Sequence, residues 1–178
     1  MYPLILNFWF QEISPKQWWK VDPAFDQLIR ERFSDIHRQA SQVELFEWRL
    51  TPRGRLAEII VLDQFSRNMY RGERNAFAAD NLALALAQEA VAAKLDLELS
   101  DDERVFLYMP FMHSESSLIH QVAERLFKNS AAASNYEFEL RHKAIIDRFG
   151  RYPHRNEIMK RQSTQEEIAF LAEPGSSF

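Results

Sequence analysis

Apolar residues recur along much of this chain at three- and four-residue spacing, the period of an amphipathic helix. The fullest instance is Gly54 to Gly72, GRLAEIIVLDQFSRNMYRG. Arg55 to Arg71 holds no Gly or Pro, with Pro52 and Gly54 before it and Gly72 after. This predicts one uninterrupted helix of about four to five turns. Leu56, Ile59, Ile60, Leu62, Phe65 and Met69 wrap most of its circumference, so it should lie at the centre of the fold. Asp63, Gln64, Arg67 and Asn68 interrupt the apolar run in its second half. Buried polar groups need partners, and an unpaired buried charge costs several kcal/mol. These side chains are therefore expected to be paired or to face a solvated cleft.

The flanking segments read the same way. Leu4 to Phe10 alternates apolar residues, yet no later segment offers a sheet partner, and a short buried helix is expected. Trp18, Trp19 and Pro23 lie in a connection, with Asp22 placed to cap a helix from Pro23 to about Gln39. Phe25, Leu28, Ile29, Phe33 and Ile36 form its core stripe. Val43, Leu45, Phe46 and Trp48 make a brief apolar segment. Asn75 is a candidate cap for a long Ala- and Leu-rich helix reaching about Lys94. Ser100 with Glu103 forms a capping box, and Pro110 should end or kink the helix that follows. Ser114 or Ser116 can cap Leu118 to Phe127, with Leu118, Val122 and Leu126 on one stripe. Asn129 to Asn135 reads as a loop. Tyr136 to Phe149 is expected as a helix closed by Gly150 and Pro153. Ser163 with Glu166, or Thr164 with Glu167, caps a last short helix carrying Ile168, Phe170 and Leu171. The expectation is an all-α fold of about seven helices, with no repeat of fixed period.

Composition narrows the function classes. A chain of 178 residues with 46% hydrophobic content is expected to form one domain, residues 1–178, with a full core. A net charge of −4 gives no electrostatic case for nucleic acid. With no cysteine, disulfides, thiolate metal sites and thiol nucleophiles are excluded, and a reducing cytoplasm fits. The apolar start, MYPLILNFWF, lacks the basic flank of a signal peptide and is too short to span a bilayer. No membrane segment is expected.

Three segments carry most of the unusual polar residues: LDQFSRNMYRG (Leu62 to Gly72), YMPFMHSES (Tyr108 to Ser116) and HKAIIDRFGRYPHRN (His142 to Asn156). Together with the N-terminal LNFWF, the WRLTPRGRL approach to the central helix and the late STQEE, they resemble the bacterial family called domain of unknown function 924. The resemblance spans essentially the whole chain. It implies an α-helical fold of antiparallel pairs similar to tetratricopeptide repeats, and it implies no activity. Ser116 departs from the acidic residue expected after His-Ser-Glu, which leaves Glu115 to carry that charge alone.

The chemistry of these segments can be weighed residue by residue. Asp63 and Arg67 stand four apart in the favourable acid-before-base order, and Gln64 and Asn68 form a second couple. Arg67 and Arg71 share a like-charge spacing that calls for an anion or carboxylate between them, unless Arg71 is simply solvated at the helix end. His113 follows a proline-broken helix and is the best candidate general acid–base group or ligand, with Glu115 placed to orient it. Capping and corner packing account for the same residues. Around the Gly150–Pro153 bend, Arg148, Arg151, His154 and Arg155 make a local positive site beside Asp147, with His142 upstream. Such arginines suit bidentate recognition of carboxylate or phosphate, and they equally suit helix-end pairing.

No His-Glu-x-x-His pair, EF-hand loop or Gly-rich phosphate loop occurs, and Ser114 lacks a nucleophile elbow. No cofactor or metal is expected. The aromatic residues are mostly core, although one of the adjacent Trp18 and Trp19 is expected to be exposed and offers a partner surface.

Two readings follow. In one, Asp63, Arg67, Arg71, His113, Glu115, His142, Arg148, Arg151, His154 and Arg155 converge on a pocket for a small anionic ligand or peptide, with chemistry there open and His113 its acid–base group. In the other, they are internal pairs fixing helix register in a helical-repeat-like scaffold that binds protein or peptide partners.

Overall fold

The structure, a computed structural model, describes residues 1–129 and 133–176. Every regular element among them is helical, as the apolar spacing predicts. The main helices are α1 (Tyr2–Asn7), α2 (Pro23–Ser41), α3 (Pro52–Ile60), α4 (Ser66–Met69), α5 (Asp80–Ala92), α6 (Asp101–Met112), α7 (Ser117–Lys128), α8 (Ala133–Phe149) and α9 (Gln165–Leu171). Single 3-10 turns join several of them. The chain progresses by neighbour packing, α5 on α6, α6 on α7 and α7 on α8, while α2 lies against the middle of the molecule. No helix of the described residues is long and apolar enough to cross a membrane.

That middle is the expected central helix. α3 and α4 are joined without a break by a π-helical turn, Val61–Phe65. Leu56 to Ser66 is buried on every face, which explains the apolar residues around its whole circumference. Phe8, Phe33 and Phe65 form an aromatic knot beside it, with ring centroids 4.8 Å apart for Phe8–Phe33 and 5.0 Å for Phe33–Phe65. The expected N-terminal helix is α1, continued by a second π-turn, Phe8–Glu12, that buries Phe8 and Trp9.

Several boundaries differ from expectation, each for a physical reason. The central helix begins at Pro52, not Arg55, because Pro52 suits the first position and Thr51 Oγ1 accepts the Gly54 N–H at 3.0 Å. Gly54 thus sits inside the helix. A Cβ there would lie 2.1 Å from the Trp48 carbonyl oxygen, so this glycine permits close approach of the 3-10 turn Phe46–Leu50. Asn75 caps nothing with its side chain; a 3-10 turn, Arg74–Phe77, intervenes and α5 starts at Asp80. Pro110 does not end α6, which runs on to Met112. The 3-10 turn Pro15–Trp19 holds both tryptophans, and Trp19 is the exposed one, stacked on Phe106.

The α7 stripe is shifted. Leu118 is exposed, whereas His120, Ala123 and Phe127 are buried. The expected Asn129–Asn135 loop falls partly outside the described residues, and from Ala133 the chain is already helical, in keeping with the high helix propensity of alanine. The capping boxes Ser100/Glu103 and Thr164/Glu167 form as read from the sequence.

A Gly→Ala change inside a helix ordinarily stabilises by about 1 kcal/mol. Gly54→Ala is expected to do the reverse, losing about 1–3 kcal/mol through overpacking against Trp48. Urea unfolding of the two proteins checks the sign.

Candidate functional site

The site is built on Asp63, which the π-turn carries into the core with no exposed surface. Its carboxylate accepts from His113 Nδ1 at 2.8 Å and Gln64 Nε2 at 2.5 Å and is ion-paired with Arg67 Nη1 at 2.9 Å, while Arg67 Nη1 donates to the Asp63 carbonyl at 3.0 Å. Arg67 in turn makes two bonds to Asp80 at the start of α5, 2.9 and 3.1 Å long. Arg67 therefore bridges two carboxylates, and α4, α5 and the end of α6 meet at one charge network. Asp63, not Glu115, orients His113. With the carboxylate ionised, Nδ1 carries the proton and Nε2 is left as the acceptor, the arrangement a general base uses.

The second half comes from the bend after α8. Arg155 is buried, and its guanidinium lies between the rings of Phe77 and Tyr152, 4.6 Å from each centroid. Its contact with Asp80 is long, 3.5 Å, and its Nε has no hydrogen-bond partner among the described residues. His142 and His154 flank the same Tyr152 ring at 5.7 and 5.5 Å. Behind it the Tyr152 hydroxyl donates to the Met112 carbonyl at 2.6 Å and lies 3.2 Å from His120 Nε2. His120 Nδ1 meets Glu139 at 2.8 Å, and both side chains are fully buried.

Of the residues singled out in the sequence, Asp63, Gln64, Arg67, His113, His142, His154 and Arg155 are thus brought together. The rest are held elsewhere. Arg71 and Asn68 both bind Asp26 of α2, at 2.6 and 2.7 Å. Arg148 reaches Glu166, and Arg151 makes two bonds to Glu167 of α9, 2.6 and 2.8 Å long. Glu115 is held by two bonds from Arg161 and accepts the Tyr152 N–H at 2.8 Å, so it shapes the bend that carries Arg155. Sequence reasoning missed Asp80, Phe77, Tyr152 and Arg161. An acid in a first helical turn and an aromatic beside a bend are too ordinary to stand out. Among the described residues no three His, Asp or Glu side chains are arranged to share a metal ion.

A family described as bacterial protein of unknown function (DUF924) matches residues 5–175. The chain belongs to this family. A solved structure, that of the protein of unknown function ATU0120 from Agrobacterium tumefaciens, is 37% identical over 96% of each chain, with a TM-score of 0.91. No curated protein matches. The DUF924 resemblance seen in the three polar segments therefore holds over nearly the whole length, and those segments supply most of this site.

Electrostatics of the DUF924 cluster follow from burial. Burial alone would raise the Asp63 carboxyl, but Arg67 and then His113 outweigh it and hold Asp63 well below the usual carboxylate range. His113 is pushed down by burial and by Arg67, against the pull of Asp63. Burial draws His142 down to about 3 and His154, with Arg155 beside it, to about 4. All three imidazoles are neutral near pH 7. Burial and Arg67 lower Arg155 as well.

His142 and His154 bind protons more readily unfolded, at their ordinary value of 6.5, than folded. Their contribution is intact above pH 6.5 and lost as the pH falls towards 4, by up to about 1.4 kcal/mol per pH unit for each. Chemical unfolding across this range should show that slope, and the double variant His142→Asn/His154→Asn should flatten it.

Proposed function

We propose that this chain binds a small anion, a carboxylate or phosphate group, on the edge of the Arg155 guanidinium. The observation that carries this reading is Arg155 itself. Arg67 is saturated by two carboxylates, whereas Arg155 is clamped by two aromatic faces, reaches Asp80 only at 3.5 Å and keeps a buried N–H unmatched. An unsatisfied buried donor costs about 1–3 kcal/mol, which an incoming oxygen would restore. With the ring centroids of Phe77 and Tyr152 each 4.6 Å from the guanidinium carbon, its N–H groups are the donors left for an anion, a fork suited to carboxylate and phosphate. His154, neutral beside it, can take up a proton as the anion arrives.

For Arg71, Arg148 and Arg151 the register-fixing reading is the better one. Each meets a carboxylate of another element at 2.6 to 2.9 Å, and none belongs to the Arg155 edge.

Thermal melting against inorganic phosphate, phosphorylated metabolites and small mono- and dicarboxylates tests the proposal. At about a hundred times Kd an anion adds roughly 2.7 kcal/mol, or on the order of 5–10 °C for a domain this size. Arg155→Met should abolish that rise while leaving the unliganded melting point little changed or higher, since an apolar chain of similar length replaces a poorly paired charge. Arg151→Met should lower the unliganded melting point and keep the rise. No rise in the wild type with any anion, or an equal rise in Arg155→Met, defeats the reading.

A further inference from the structure

A cleft of about 520 Å³ opens between the C-terminal half of α2, the end of α4 and the approach to α5. Tyr70, Ala78, Ala79 and Leu82 contribute apolar surface to its lining, and His37 and Arg38 are among the polar side chains that complete it. The volume is ordinary for a small-molecule site, as is a mostly apolar lining with a few placed polar groups.

The decisive group is His37. Ser66 Oγ spends its one proton on the Leu62 carbonyl, 2.6 Å away. The 2.7 Å contact between His37 Nε2 and Ser66 Oγ must then be an N–H donated by the imidazole. This fixes the tautomer and leaves Nδ1 as a bare acceptor, with no hydrogen bond to any described residue. Burial pushes the imidazole below its ordinary value, so the lone pair persists at neutral pH. The Tyr70 ring stands 5.4 Å from that of His37 at 60°, making an aromatic corner. Arg38 at the rim, tied to the neutral Gln42 at 3.0 Å and only distantly to Glu44 at 3.9 Å, gives the cleft a positive edge.

We infer that this cleft binds a flat heteroaromatic molecule whose ring N–H donates to His37 Nδ1 and whose acidic substituent lies towards Arg38. The inference shares no residue with the Arg155 site and does not depend on it. Ser66 adjoins Arg67 in the chain, but its side chain meets His37 of α2 and not the Asp63–Arg67–Asp80 network.

Indole-3-acetate is a suitable probe, with its N-methyl analogue as the control that lacks the donor. Titration followed by ring-nitrogen NMR should show saturable binding that moves the His37 Nδ1 resonance. The N-methyl analogue should bind roughly fivefold or more weakly, the loss expected for one hydrogen bond. His37→Phe should lose the same discrimination, and Ala79→Trp, which puts a bulky ring into the lining at a residue outside the His37–Ser66 bond, should abolish binding. Arg155→Met should bind the probe as the wild type does. Absence of saturable binding in the millimolar range, equal affinity for the N-methyl analogue, undiminished binding by Ala79→Trp, or loss in Arg155→Met each overturns the inference.

Discussion

A carboxylate with no exposed surface, Asp63, is the constraint on which the rest of this structure depends. Taking a charge of this size out of water is tolerable only where paired charges and hydrogen bonds replace the solvent. Asp63 receives them from three directions: Gln64 beside it, Arg67 one turn on and His113 from the end of α6. Arg67 brings two positive-going edges to two acids, so Asp80 at the head of α5 is drawn into the same network. Removing Arg67 would take from the buried Asp63 its guanidinium partner and from Asp80 its two shortest bonds. The network therefore fixes how α4, α5 and α6 meet, and it fixes the polar end of the molecule at the same time.

The C-terminal segment is held to that end by arginine–carboxylate pairs. Arg161 grips Glu115 with bonds of 2.6 and 2.9 Å, and Glu115 takes the Tyr152 N–H, while Arg151 is clamped to Glu167 at the start of α9. These pairs sit around the bend and restrict the backbone that presents Tyr152 and Arg155. Tyr152 is fully buried, anchored by its hydroxyl to the Met112 carbonyl, and its ring forms one wall of the Arg155 clamp. Glu115 thus acts on the site through Tyr152 and not through His113, although it follows His113 by two residues.

The fold was legible because apolar spacing, caps and glycine stops agree along the chain. Thr164/Glu167 and Ser100/Glu103 could be read directly, and the central helix announced itself by apolar residues on every side. Gly54 was misleading because local sequence treats glycine as a breaker, whereas here a tertiary neighbour, the Trp48 carbonyl, forbids any Cβ. The α7 stripe was misleading for a related reason: the buried His120 takes a core position because Glu139, nineteen residues later, pairs with it. The site was half legible. Asp63, Arg67, His113 and Arg155 stand out as polar residues in apolar or bent surroundings. Which arginines go to Asp26, Glu166 or Glu167 depends on long-range contacts that carry no local signature.

Charge balance sets the terms on which the Arg155 edge can work. Asp63 and Asp80 offset Arg67 and Arg155, and the imidazoles around them are neutral, so the resting cluster carries no net charge. A bound monoanion leaves one negative charge in a poorly solvated place, and a proton taken up nearby would offset it. His154 is the natural acceptor, because Arg155 next to it is one cause of its low pKa and an anion on Arg155 cancels that cause. Glu115 pulls in the same direction, while Arg161 and Arg67 oppose. The proposed anion would then bind more tightly as the pH falls towards the free-protein His154 value of about 4, in the range where the free protein loses stability. One set of buried imidazoles would set both trends, with opposite signs, because the ligand favours the protonated form that the empty fold excludes.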